Sequence, residues 1–142
     1  MKTTSRLFSV CAALCVSFSA TAFELKHNEG PAELPSAPAS IATFDLSILD
    51  SLNALGIPVT GVPQSLYEGH LAKFAQTTVV GTLFEPNYEV LENLEPELIF
   101  AGGRSQQAIP QLQELAPVAV LTNRPTHFLD DFRQNNLNLA TA

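Results

Sequence analysis

Leu94-Glu95-Pro96-Glu97-Leu98-Ile99-Phe100-Ala101-Gly102-Gly103-Arg104 decides the fold. Pro96 closes whatever precedes it, because proline cannot continue a helix. Leu98 to Ala101 is a short apolar run of the length expected for a strand buried on both faces. Gly102-Gly103 then turns the chain, and Arg104 stands at the carboxyl end of the run.

Further runs of the same kind lie on either side. Ile41 to Phe44, Val59 to Val62, Thr78 to Val80 and Val118 to Leu121 read as strands, and helical periods separate them. Ile48, Leu49, Leu52 and Leu55 share one helical face, which Gly56 ends by tolerating the left-handed C′ position. Ser47 and Asp50 have the spacing of a capping box. Leu66 to Phe74 is a weak helix. Pro86 opens the next helix, whose apolar side is Tyr88, Leu91 and Leu94. Ser105 to Leu115 is helical with a break at Pro110, and Phe128 to Leu139 opens a last helix. Strands alternating with helices predict a parallel α/β sheet with helices on both faces. Ligands of such sheets bind beyond the carboxyl ends of the strands. The loops of interest are therefore Asp45-Leu46, Pro63 to Tyr67, Gly81 to Glu85, Gly102 to Ser105 and Thr122 to Pro125.

The N-terminus has a different character. Lys2 and Arg6 precede an uncharged apolar run, Leu7 to Phe18, and Ala20-Thr21-Ala22 supplies small residues. That order predicts a signal peptide over residues 1–22, cleaved after Ala22, and export to the periplasm. The apolar run is too short to span a bilayer, and no later stretch approaches that length. Cys11 and Cys15 both fall in the leader, so the mature chain has no disulfide and no thiolate. Val10 and Leu14 precede them where an acylated cysteine needs a small residue, so a free periplasmic protein is expected. Residues 23–40 carry Pro31, Pro35 and Pro38 with an Asn28-Glu29-Gly30 turn, the pattern of a short exposed hairpin or arm.

The chain has 7 basic and 14 acidic residues. Loss of Lys2 and Arg6 leaves five basic residues, a net charge of −9, which makes nucleic acid or an anionic lipid surface a poor partner. The length fits one domain.

Three stretches together resemble the siderophore- and vitamin B12-binding branch of the periplasmic binding proteins that serve ABC importers. They are Ile41 to Asp45 with Leu52 to Ile57, then Val80-Gly81-Thr82-Leu83-Phe84-Glu85-Pro86-Asn87-Tyr88-Glu89, then Leu94 to Arg104. The last two look most like the catecholate type. The resemblance implies a Rossmann-like lobe, one of two that clamp the ligand, over residues 41–127. Residues 128–142 would begin the interlobe helix, and the chain would be truncated before the second lobe. It also implies an iron chelate as ligand and an inner-membrane permease as partner.

Arg104 is the leading ligand contact. Its guanidinium offers forked donors and a flat cation to an anionic, aromatic ferric catecholate, and the resemblance puts a siderophore-contacting arginine here. Gly103 lets the backbone approach, Gly81 and Thr82 present backbone groups, and Tyr67 offers a ring to stack or to pack. Arg124 reads as an exposed loop charge. By the same resemblance Glu89 lies on the lobe surface and pairs with permease arginines. His27, His70 and His127 lack metal-ligand spacing, and His27 and His70 read as exposed. Glu92, Glu95 and Glu97 read as a solvated edge.

Three classes compete. The first is a binding lobe for a ferric siderophore, with haem, cobalamin or another chelate as the neighbouring choice. The second is an enzyme, disfavoured because nucleophile elbow, phosphate loop and cysteine are all missing. The third is a truncated remnant that still touches the permease.

Overall fold

A computed structural model of the chain describes residues 23–27 and 30–140. The leader, its cysteines and the Asn28-Glu29 turn lie outside the described residues. The five short apolar runs become strands β3 (Ile41–Thr43), β4 (Gly61–Val62), β5 (Thr78–Val79), β6 (Leu98–Ala101) and β7 (Val118–Val120). Preceding them are β1 (Phe23–His27) and β2 (Gly30–Leu34). Strands β3 to β7 pair in parallel in the order β5-β4-β3-β6-β7. The chain builds outward from β3 on one side, then returns to lay β6 and β7 on the other. The switch point of the sheet is therefore the seam between β3 and β6.

Side chains alternate across a strand with period two, and the two cores follow that alternation. Ile41, Leu98, Phe100 and Ala119 face α1 (Leu46–Leu55) and α4 (Phe128–Leu139), meeting Ile48, Leu52 and Leu139. Ala42, Phe44, Ile99 and Val118 face the other way, against Leu91 of α2 (Tyr88–Leu94) and Leu112 of α3 (Ile109–Leu112). Helices thus cover both faces of a parallel sheet, as the alternation of runs predicts.

Several local expectations are corrected. The cap of α1 is Asp45, not Ser47: its carboxylate accepts from the amides of Ser47 at 2.8 Å and Ile48 at 3.2 Å. Asp50 does not reach back but meets His70 Nε2 at 2.6 Å. Gly56 does take the left-handed position, with φ 74°. The expected helix over 66–74 is instead a 3-10 segment, Gly69–Gln76, entered through Gly69 at φ 58°. Of its residues only Phe74 is buried, too little apolar surface to hold a full helix in place. Pro86 pairs with Gly81 in a bridge rather than opening α2, and Asn87 caps that helix by accepting from the Val90 amide at 3.2 Å. Pro110 lies in the first turn of α3, where its missing N–H costs nothing, so it marks a start and not a break.

The N-terminal segment is the hairpin of the two alternatives, but it is not simply exposed. β1 and β2 form an antiparallel hairpin whose Leu25, Ala32 and Leu34 are buried in the α1/α4-side core. It lies along the outer edge of the sheet, where the Val120 amide donates to His27 Nδ1 at 3.2 Å. An edge strand left open invites pairing with another chain, and the hairpin covers part of this one. Asn138 of α4 adds a bond to the Lys26 carbonyl at 2.9 Å.

Candidate functional site

At the switch point the two strand ends approach closely. A side-chain carbon on Gly102 would lie 2.4 Å from Asp45 Oδ2, so only glycine fits beside the cap of α1. Beyond it the chain folds into a tight turn around Ser105. The buried Ser105 hydroxyl accepts from the Gly102 amide at 3.1 Å and donates to the Gly102 carbonyl at 3.3 Å. With Ser105 turned inward, Gly103 and Arg104 are forced outward into solvent.

A second turn rises beside the first. Gly81 has φ 127°, a conformation for which glycine is suited, and an added Cβ would lie 2.4 Å from the Glu85 carbonyl. Thr82 locks the turn: its Oγ1 accepts from the amides of Phe84 at 3.2 Å and Glu85 at 2.9 Å, and its own amide donates to the Glu85 carbonyl at 2.9 Å. Gln64 donates to the Gly81 carbonyl at 2.6 Å and ties the turn to the loop after β4.

Between the two turns lies an open cleft of about 430 Å³, lined by Phe84, Glu85, Gly103, Arg104, Gln106 and Gln107. Its size falls within the range of small-molecule sites. Arg104 makes no ion pair or hydrogen bond with any described residue. An exposed cation with no described partner, beside two amides and an aromatic ring, suits an anionic ligand rich in oxygen. Glu85 adds an opposing charge on one wall.

The structure brings Arg104 and Gly103 together but distributes the other candidates. Gly81 and Thr82 form the base of the turn that presents Phe84 and Glu85, and they do not line the cleft. Tyr67 packs edge to face on Phe74, with centroids 6.3 Å apart, in the cluster of Leu49 and Val62. Its hydroxyl donates to the Pro63 carbonyl, and burial pushes its pKa up to about 12. Glu89 is exposed in the first turn of α2, where the helix dipole favours an acid. Arg124 is held by Asp131 through Nε at 2.8 Å and Nη2 at 2.7 Å, unlike Arg104. His27 and His70 both have partners, and no cluster of three or more potential metal ligands occurs among the described residues.

Phe84 and Glu85 fall in the Gly81 to Glu85 loop that the sequence marks as one to inspect, but neither is named there as a contact, and Gln106 and Gln107 lie just beyond the Gly102 to Ser105 loop. The signal was their place at or beside the loops that follow two strands; nothing local says that residues about twenty apart share a cleft.

No protein-family model matches the chain. The petrobactin-binding protein YclQ of Bacillus subtilis is 27% identical over 107 residues, covering 72% of this chain and 34% of YclQ. Its crystal structure superposes with a TM-score of 0.77 at 26% identity, over 84% of this chain and 44% of that one. The Fe(3+)-citrate-binding protein YfmC of the same organism is 32% identical over 101 residues, 68% of this chain and 32% of YfmC. The iron uptake ABC transporter substrate-binding protein PiuA of Streptococcus pneumoniae gives a TM-score of 0.77 at 29% identity, over 83% of this chain and 43% of PiuA. The chain thus spans between about a third and a little under half of the proteins it matches. It is related in sequence and in fold to the siderophore- and iron-chelate-binding proteins of ABC importers, and corresponds to a part of them the size of one lobe.

Proposed function

We propose that the chain is the ligand-binding lobe of a substrate-binding component of an ABC importer, taking a ferric siderophore of the catecholate type in the periplasm. The observation that carries this reading is Arg104, without a partner among the described residues, in the cleft between the turns after β5 and β6. The donors of the cleft and its aromatic wall match an anionic, ring-bearing chelate better than a neutral one. Export follows from the leader, and mature protein begins at Phe23. No helix among the described residues is long and apolar enough to cross a membrane, and delivery is to a permease that docks against the exposed Glu89.

This is a binding role and not an enzymatic one. One lobe leaves half of a clamped ligand in water, where an exposed ion pair contributes about 1 kcal/mol or less, so residues 23–142 alone bind weakly and a second lobe tightens the complex. The test is a titration of residues 23–142 with gallium(III) tris-catecholate, a diamagnetic stand-in for the ferric complex, followed by backbone amide NMR shifts. Weak saturable shifts around Gly103 and Arg104, lost in Arg104→Ala, support the reading. Shifts that survive Arg104→Ala remove Arg104 from the site.

A further inference from the structure

The geometry points to Phe84 as the group that selects ring-bearing chelates over ring-free ones of similar charge. This rests on the reading of the cleft as a chelate site and adds to it the residue that discriminates ring-bearing from ring-free ligands.

Phe84 is 62% exposed, at the tip of the Gly81–Pro86 turn. An exposed apolar side chain alone means little. Three features separate this one from the rest. The ring lines the same cleft as Arg104. Its backbone is held on both sides, by Thr82 Oγ1 at the Phe84 and Glu85 amides and by the Gly81–Pro86 bridge, so the ring sits on a fixed platform and little ordering is needed on binding. The rest of the lining is polar or charged apart from Gly103, so among the described residues Phe84 supplies the only aromatic surface in the cleft.

A planar ring entering this cleft can lie against Phe84 while the oxygens on its edge take the guanidinium and the Gln106 and Gln107 amides. A ring-free chelate of like charge gains the second set of contacts and not the first. Glu85 is indifferent to rings and opposes any anion. The two walls are therefore separable: Phe84 acts on the shape of the ligand and Glu85 on its charge.

Two probes distinguish these roles on residues 23–142, gallium(III) tris-catecholate and gallium(III) citrate, both anionic and only the first aromatic. Amide NMR titration gives an affinity for each. Phe84→Ala is expected to weaken the tris-catecholate by about three- to ten-fold, the scale of one aromatic contact, and to leave citrate unchanged. Phe84→Leu, which keeps bulk without a ring, is expected to weaken it nearly as much. Glu85→Gln is expected to tighten both probes. Phe84 is exposed, so its variants keep the fold, which unchanged amide spectra outside the cleft confirm. Equal weakening of both probes, or no change in either, overturns the assignment while leaving the chelate site standing. Absence of saturable shifts with either probe on the unaltered chain overturns the chelate site itself, and this inference with it.

Discussion

Replacing Gly102 by alanine strikes the point where the sheet, the cap of α1 and the candidate cleft meet. The new carbon would lie 2.4 Å from Asp45 Oδ2 and 3.1 Å from Asp45 Cβ and Cγ. Backbone torsion is not the obstacle, since Gly102 is absent from the residues of positive φ; space is. The carboxylate must swing away, and its Oδ1 then loses the Ser47 amide at 2.8 Å, the Ser47 hydroxyl at 2.7 Å and the Ile48 amide at 3.2 Å. Loss of such a cap costs about 1–2 kcal/mol. Urea denaturation of Gly102→Ala and Asp45→Ala reads both costs, and the double variant reads their coupling. With the carboxylate gone, Gly102→Ala has little left to displace, so the two costs fall short of adding by about 1 kcal/mol. A Gly102→Ala chain as stable as the original, or costs that add within about 0.3–0.5 kcal/mol, would refute the close approach of β6 to the α1 cap.

Three further outcomes are expected. Hydrogen bonds from the Arg124 side chain and backbone hold the Asp131 carboxyl well below the usual carboxylate range. A depressed folded pKa stabilises above the unfolded value and ceases to as pH falls through the folded one, so Asp131→Asn destabilises at neutral pH by an amount that shrinks below about pH 4. The Tyr67 phenol, pushed up to about 12 by burial, stabilises the fold fully below about pH 10 and less as pH rises from there. The ultraviolet ionisation step lost in Tyr67→Phe should accordingly centre near pH 12, and a step near pH 10 would place Tyr67 in water. Mass spectrometry of the exported protein should find Phe23 at its start, and a chain retaining Met1 would contradict the leader.

The sheet was legible because its strands are short apolar runs between turn residues, and both faces being covered leaves no polar alternation to misread. Leu98 to Ala101 is the plainest case: all four residues are buried. What sequence could not show depends on contacts between distant segments. Asp45 and Ser47 are both good caps by type, and the choice of Asp45 goes with its packing against Gly102, 57 positions away. The prolines and turn of residues 23–40 suggest a short exposed hairpin or arm; the hairpin forms, yet Leu25, Ala32 and Leu34 find cover on a sheet face built mostly from later residues. Gly69 outweighed the weak periodicity of 66–74. Arg104 was readable because glycines precede it at a strand end. Its neighbours Phe84 and Glu85 come from the turn after β5, separated from β6 by two strands in the sheet, and only the tertiary course of that turn brings it to the cleft.

Where a chelate lands is decided most directly by paramagnetic broadening. High-spin ferric tris-catecholate, added in small amounts to isotope-labelled residues 23–142, broadens amide signals steeply with proximity. The amides of Phe84, Glu85 and Gly103 to Gln107 are expected to fade first, while Ser40, Glu97 and Ala116 at the amino ends of the strands stay sharp. Uniform broadening, or fading that begins at the amino ends of the strands, would contradict a chelate site between the turns after β5 and β6.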